Sequence, residues 1–415
     1  MPAAGAGGPK DFETAMNRNR FINFIQVFSF ALISGMTTAI SPLMHMLIAH
    51  YDTVPVTTVR MLSTVVSLCG MCVSVPLTLF FGKRLKFKPL LILGACLFLL
   101  GALPFFVPDP PFALVMFSRI CVGVGYGFCA LRNACVRRMF AGNDTAIALW
   151  LGILNATISI VGVVLGPIAG ALADRFTLWH GFLVYLLASV SLILLTLIFK
   201  EPGEEKSDIP APDPAQKARA DKISPAVFRF AAVCAATTLL EYPIFTLSST
   251  LAALRGWGGA AVGGSILSFY YVGSVSGSLF FPVQNSRLPR FGLALDYVFL
   301  TCGFGLMLLA PSPYFAFAGA LFMGFGFVNQ MLANTKWAGD STSPATRTFA
   351  STLLSASVSL GTFISVFWIQ AVGWLTSGLG FLTSEPERVY FVSLTVCAVF
   401  ALLFFLFDPR PKTRR

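Results

Sequence analysis

Two ionisable side chains stand out inside apolar runs long enough to cross a lipid bilayer: Glu241 in TTLLEYPIF and Arg119 in FSRICVGVGYGF. A charge at the centre of such a run costs about 2.5–3.5 kcal/mol on insertion scales, so a residue kept there is a candidate for function. Lipid disfavours the anionic form of a carboxyl group, and a side chain that takes and gives up a proton is what a proton carrier requires. Pro243, just after Glu241, frees a backbone carbonyl and permits a bend of the kind found beside binding sites. Glu241 therefore reads first as a proton or cation carrier. A structural pair with an arginine and direct substrate contact are the competing roles.

Arg119 shares a helical face with Gly123, Tyr126, Ala130 and Asn133. Such a face fits the wall of a central cavity; the competing reading is a scaffold arginine that holds neighbouring carbonyls. Asn329, Gln330 and Asn334 place amides in a later apolar run, where they either join helices or read the hydroxyls and carbonyls of a substrate. Tyr242, Tyr270 and Tyr271 are candidates for an apolar cavity wall or for interface anchors, and Ser355 and Ser359 for close helix packing.

Enzyme chemistry finds no such support. His45, His50 and His180 fall near the ends of apolar runs, without a His-Glu-x-x-His run or metal-ligand spacing. Cys69 and Cys72 read as two small packing residues one helical turn apart. There is no Walker A loop. The expectation is a chain with no catalytic set, no metal, no cofactor and no nucleotide, driven by an ion gradient.

The elements that hold these residues follow from composition. The 415 residues are 56% hydrophobic and only 11% charged, with a mean hydropathy of +0.78. Soluble domains carry roughly 25% charged residues, so a soluble globular protein is excluded and lipid is the main solvent. The net charge of +11 would raise the question of nucleic acid. Most basic residues, however, among them Arg137, Arg138, Arg287 and Arg290, fall in short stretches on one alternating side of the apolar runs. That positive-inside pattern accounts for the charge without a nucleic-acid partner.

Apolar runs recur from about residue 21 and make twelve spans, the first over 22–48 and the sixth over 180–199, with both termini cytoplasmic. Residues 1–20 read as a cytoplasmic tail, 21–199 as one six-helix bundle, 200–223 as a cytoplasmic linker, 224–408 as a second six-helix bundle and 409–415 as a basic tail. A fixed offset places Pro42 on Pro243, Gly123 on Gly324, Gly125 on Gly326 and Asn133 on Asn334, and a nearly equal one places Gly162 on Gly361. This is the signature of a parallel internal repeat.

Three motifs go further. Arg119 is followed by Gly123, Gly125 and Gly127; the fifth span reads GVVLGPIAGALAD, with Gly162, Gly166, Pro167 and Gly170; and GKRLKFK, with Gly82, Lys83 and Arg84, follows the second span. On these the chain resembles the major facilitator superfamily of secondary transporters over residues 20–408. The first is similar to that family's arginine-containing motif and the second to its antiporter-associated motif. The third sits at its cytoplasmic loop motif, with Lys83 where the family carries an acidic residue. The resemblance implies an all-α membrane protein of twelve transmembrane helices in two pseudo-symmetric six-helix bundles, working by alternating access. It also implies a role for Arg119 near the coupling machinery and a smooth fifth helix that limits leak.

The expected protein is a monomeric transporter of the cytoplasmic membrane. It exports a small, largely apolar organic compound or metabolite in exchange for protons, with Glu241 as carrier and Arg119 tuning it. The runner-up is symport of a small organic anion held by Arg119 and Arg60. A membrane receptor or scaffold that kept the fold and lost transport is the alternative from another class.

Overall fold

The computed structural model describes residues 9–81, 86–140, 144–202, 224–342, 346–378, 380, 382–408 and 410. Gly82, Lys83 and Arg84 of the loop motif, and residues 203–223 of the expected linker, lie outside the described residues. Among the described residues, eleven helices are long and apolar enough to cross a membrane, and a shorter apolar one precedes them. In chain order they are α1 (Phe21–Gly35), α2 (Val56–Phe80), α3 (Phe87–Phe106), α4 (Phe112–Met139), α5 (Leu149–Arg175) and α6 (Leu178–Leu197). The second set is α7 (Pro225–Leu254), α8 (Ala260–Arg287), α9 (Gly292–Leu309), α10 (Pro313–Asp340), α11 (Phe349–Leu375) and α12 (Glu385–Leu406).

The chain forms two six-helix bundles. Buried apolar side chains of α1–α6, with Ala260 from α8, make one cluster, and those of α7–α12 make the other. The outer wall is apolar too: Leu197, Leu309 and Trp374 are 78%, 77% and 77% exposed, as lipid-facing side chains must be. Between the bundles, α5 packs on α8 and α2 on α11.

The internal repeat is visible in the packing. Gly123 of α4 lies against Val66 and Cys69 of α2, and its counterpart Gly324 of α10 lies against Tyr270 and Ser274 of α8. Likewise Gly125 meets Gly94 and Phe98 of α3, and Gly326 meets Asp296 and Leu300 of α9. At each of these four glycines a Cβ would come within 3.0 Å of the neighbouring helix, so the repeat is a repeat of close crossings. The pairing of Asn133 with Asn334 does not hold in the same way, since Asn133 is exposed and Asn334 is fully buried.

Both bundles open with a broken helix. The helix that contains α1 runs Pro9–Gly35, beginning inside the stretch expected to be a tail. It stops at Gly35, and a short 3-10 turn Ser41–Leu43 and a separate helix Met44–His50 follow. The expected single span over 22–48 is thus interrupted: the helix ends at Gly35, and Pro42, without a backbone N–H, stands in the 3-10 turn that follows. In the second bundle, Pro243 divides α7 into Pro225–Glu241 and Pro243–Leu254. The α4 helix also breaks, at Ala130–Leu131, and α6 begins as a 3-10 helix over Leu178–Leu187.

Candidate functional site

A cavity of about 270 Å³ lies between the two bundles. The breaks in α1 and α7 deliver residues to it: Thr37 and Thr38 come from the turns after α1, and Glu241 is the last residue before the interruption of α7. Pro243 has no N–H to give the carbonyl of Leu239, four residues back, and at the adjacent Leu240 the carbonyl accepts the Ser393 hydroxyl of α12 at 3.2 Å.

Glu241 is 1% exposed, and its Oε1 has no hydrogen-bond partner in the protein. Tyr270 stands with it on the cavity wall. Around it stand Tyr126, Tyr242, Phe245, Tyr271 and Phe327, with Ser63, Ser67, Ser159, Ser359 and Thr362 supplying hydroxyls. Phe245 stacks on Tyr242 with centroids 5.0 Å apart and meets Tyr270 edge-on, also at 5.0 Å. Among the described residues, Glu241 is the one carboxyl on this wall, and no Lys, Arg or His lines it.

The cavity is closed at one end by contacts between the bundles. Tyr271 of α8 shares a hydrogen bond of 2.6 Å with Thr38, and the Tyr242 hydroxyl donates to the Ser63 carbonyl at 3.4 Å. Further along, Ser268 of α8 donates to the Val163 carbonyl of α5. Asp174 at the end of α5 accepts the backbone N–H groups of Ala260 and Ala261, at 2.9 and 2.8 Å. Arg60 of α2 pairs through both terminal guanidinium nitrogens with the Glu385 carboxylate at the start of α12.

The expected antiporter-like stripe is this same contact. A Cβ on Gly162 would meet the Tyr271 ring at 2.6 Å, one on Gly166 would stand 3.2 Å from the Gly264 carbonyl oxygen, and one on Gly170 would stand 2.5 Å from the Ala260 backbone. Pro167 lies within the run, its nitrogen 2.8 Å from where a Cβ on Gly264 would sit. The glycines bring α5 and α8 close together, and at Gly162 and Gly170 a Cβ does not fit while they are closed.

The structure brings Glu241, Tyr126 and Tyr242 together on the cavity wall, along with Tyr270, Tyr271 and Ser359. It does not bring Arg119 there. Arg119 is fully buried, and its guanidinium donates to the Leu62 carbonyl at 2.8 Å, to the Thr37 carbonyl at 3.0 Å and to the Tyr185 hydroxyl. All three nitrogens are committed to α2, the turn after α1, and α6, so Arg119 organises the wall from behind. The face expected to run from Arg119 to Asn133 ends at the break in α4, and Asn133 is exposed.

Asn329, Gln330 and Asn334 also miss the central cavity. All are fully buried in the second bundle. Asn334 instead lines a second cavity, with Arg229, Phe404 and Asp408, and its amide donates to the Gln330 carbonyl at 3.0 Å. Two acids stand where no role was expected. Asp174 is the interbundle cap described above, and Asp296 of α9 is fully buried, its Oδ1 accepting from Gln284 Nε2 at 2.7 Å.

Two helical bundles that enclose a cavity and meet along breakable polar contacts at one end are the architecture of a secondary transporter. The sequence matches the family model described as Major Facilitator Superfamily over residues 26–366, and the chain belongs to that superfamily. Solved structures of the same fold include a bacterial homolog of the human lysosomal transporter Spinster in an inward-facing, unoccupied conformation. It is 15% identical, covers 95% of this chain and 98% of its own, and has a TM-score of 0.69. The nucleoside transporter NupG, solved as a mutant, is 14% identical over 93% of this chain and 98% of its own, at a TM-score of 0.70. The POT family transporter PepTSo is 10% identical over 93% and 96%, also at 0.70. At these identities the likeness is one of fold. No curated protein matches the sequence.

Proposed function

We propose that this chain is a proton-coupled antiporter that exports a small organic compound across the cytoplasmic membrane by alternating access, with Glu241 as the proton carrier. The observation that supports this reading is the position of Glu241: a buried carboxyl with one unpartnered oxygen, on the wall of a cavity shared by both bundles and without a basic side chain beside it. A carboxyl in that setting offers a single place, to be taken either by a proton or by a substrate that answers its charge and its free oxygen. Proton and substrate then exclude one another at one group, which is sufficient for exchange.

The glycine contact between α5 and α8 supports the same reading, since a tight, smooth closure limits leak. Arg119 acts in it as a positioning residue, holding Leu62 and Thr37 next to the cavity-lining Ser63 and Thr38. Symport of an organic anion would need a cation on the cavity wall. The candidates for that role are engaged elsewhere, Arg119 within the first bundle and Arg60 with Glu385.

The test is proton flux in proteoliposomes holding purified protein, with Glu241→Gln in parallel, as candidate compounds are added. Proton movement opposite to the compound and absent in the variant is the expected result. Movement in the same direction, or coupling that survives in Glu241→Gln, contradicts it.

A further inference from the structure

The chemistry of the cavity wall narrows what can occupy it. At about 270 Å³ the space is just under the roughly 300–1,000 Å³ of ordinary ligand pockets, so the occupant is small. One side of the wall is a group of aromatic rings, Tyr242, Phe245, Tyr270 and Phe327, whose faces attract a cation as well as hydrocarbon. The charge available to balance that cation is Glu241, 1% exposed. No basic side chain among the described residues competes for it. A neutral guest would leave the carboxyl protonated and its proton uncoupled from binding, and an anion would find no basic side chain on the wall to offset its charge.

The unpartnered Oε1 selects further. A buried carboxylate oxygen without a donor carries the cost of an unmade hydrogen bond, and a cation with an N–H of its own answers that oxygen and the charge together. A quaternary ammonium supplies charge and no donor.

We propose that the substrate is a small protonated amine, its N–H donating to the free oxygen of Glu241 and its hydrocarbon part lying against the tyrosine and phenylalanine rings. The proposal rests on the reading of this cavity as the transport site. Its proton balance is one for one: the ammonium ion enters with its charge, the Glu241 carboxyl proton leaves to water, and the carboxylate and ammonium remain as a pair.

The test is calorimetric titration of purified protein in detergent, in two buffers of different ionisation enthalpy. The ligands share one skeleton: 2-phenylethylamine, its N,N,N-trimethyl derivative, 2-phenylethanol and phenylacetate. The amine is expected to bind and release a proton, the quaternary derivative to bind about tenfold more weakly for want of a donor, and the alcohol and acid to bind not at all. Glu241→Gln should weaken the amine about a hundredfold and abolish proton release. The ligand series is read on the wild-type chain, so it stands even if the variant folds poorly. The proposal is overturned if the alcohol, the acid or the quaternary ion binds as tightly as the amine, if Glu241→Gln keeps full affinity, or if none of the four binds at millimolar concentration. Amine binding that depends on Glu241 but releases no proton would sustain the substrate class and remove the antiport reading. Proton exchange driven in vesicles by the alcohol would do the reverse.

Discussion

Asp174 reaches across the boundary between the bundles and accepts the backbone N–H of Ala260 at 2.9 Å, so the last turn of α5 caps the first turn of α8. The amino end of a helix has unpaired N–H groups and a partial positive charge, and a carboxylate there answers both. The approach is close enough that a Cβ on Gly259 would stand 2.3 Å from the Asp174 carboxylate. Asp174→Ala should weaken closure of this end by about 1 kcal/mol, or roughly fivefold in the ratio of open to closed molecules. Spin labels at the exposed Phe176 and Leu254 would report this as a longer, better populated distance in the variant.

The glycine stripe makes a sharper demand. Gly170 has no room for a Cβ, which would lie 2.5 Å from the Ala260 backbone, whereas Gly152 on the same helix has nothing within 4 Å. Gly170→Ala should therefore cost about 1–3 kcal/mol in the closed arrangement and cut transport by about tenfold or more, while Gly152→Ala leaves it unchanged. Initial transport rates in proteoliposomes, normalised to folded protein, separate the two. Equal rates would show that α5 and α8 need not touch.

Arg119 predicts a loss of stability. Removing its guanidinium strands the Leu62 and Thr37 carbonyls and the Tyr185 hydroxyl, all of which accept from it in the bundle interior. Arg119→Ala should lower stability by about 3 kcal/mol or more, and Tyr185→Phe by about 1 kcal/mol. Thermal unfolding in detergent checks both. An unchanged unfolding temperature together with abolished proton coupling would return Arg119 to a direct part in coupling.

How much of this the sequence discloses depends on how local each signal is. A lone carboxyl in an apolar run, with a proline two positions on, marks Glu241 whatever surrounds it, and the folded chain carries that residue to the cavity wall. Gly162, Gly166 and Gly170 fall on one side of α5 by helical periodicity, although the partner that makes them necessary, α8, is distant in the chain. The face drawn through Arg119 and Asn133 fails because α4 breaks at Ala130–Leu131 and because a long arginine can bend away from the face its Cα occupies. Asn329 and Gln330 are buried polar groups within one bundle, and nothing in their own run distinguishes an inward amide from one at the interface between bundles. Asp174 sits at a span end, where a charge is ordinary, and only the arrival of Ala260 gives it a role. The hydroxyls of Ser63, Ser159 and Thr362 come from three helices, each too common in type to single out.

Release of the Glu241 proton when substrate arrives is the step on which exchange depends. Infrared difference spectroscopy on the purified protein in lipid, before and after addition of 2-phenylethylamine, observes that carboxyl directly. Loss of a protonated-carboxyl C=O band and gain of a carboxylate band are expected in the wild-type chain, with neither change in Glu241→Gln. A spectrum in which the protonated band persists on saturation, or in which the change survives in Glu241→Gln, would contradict that step.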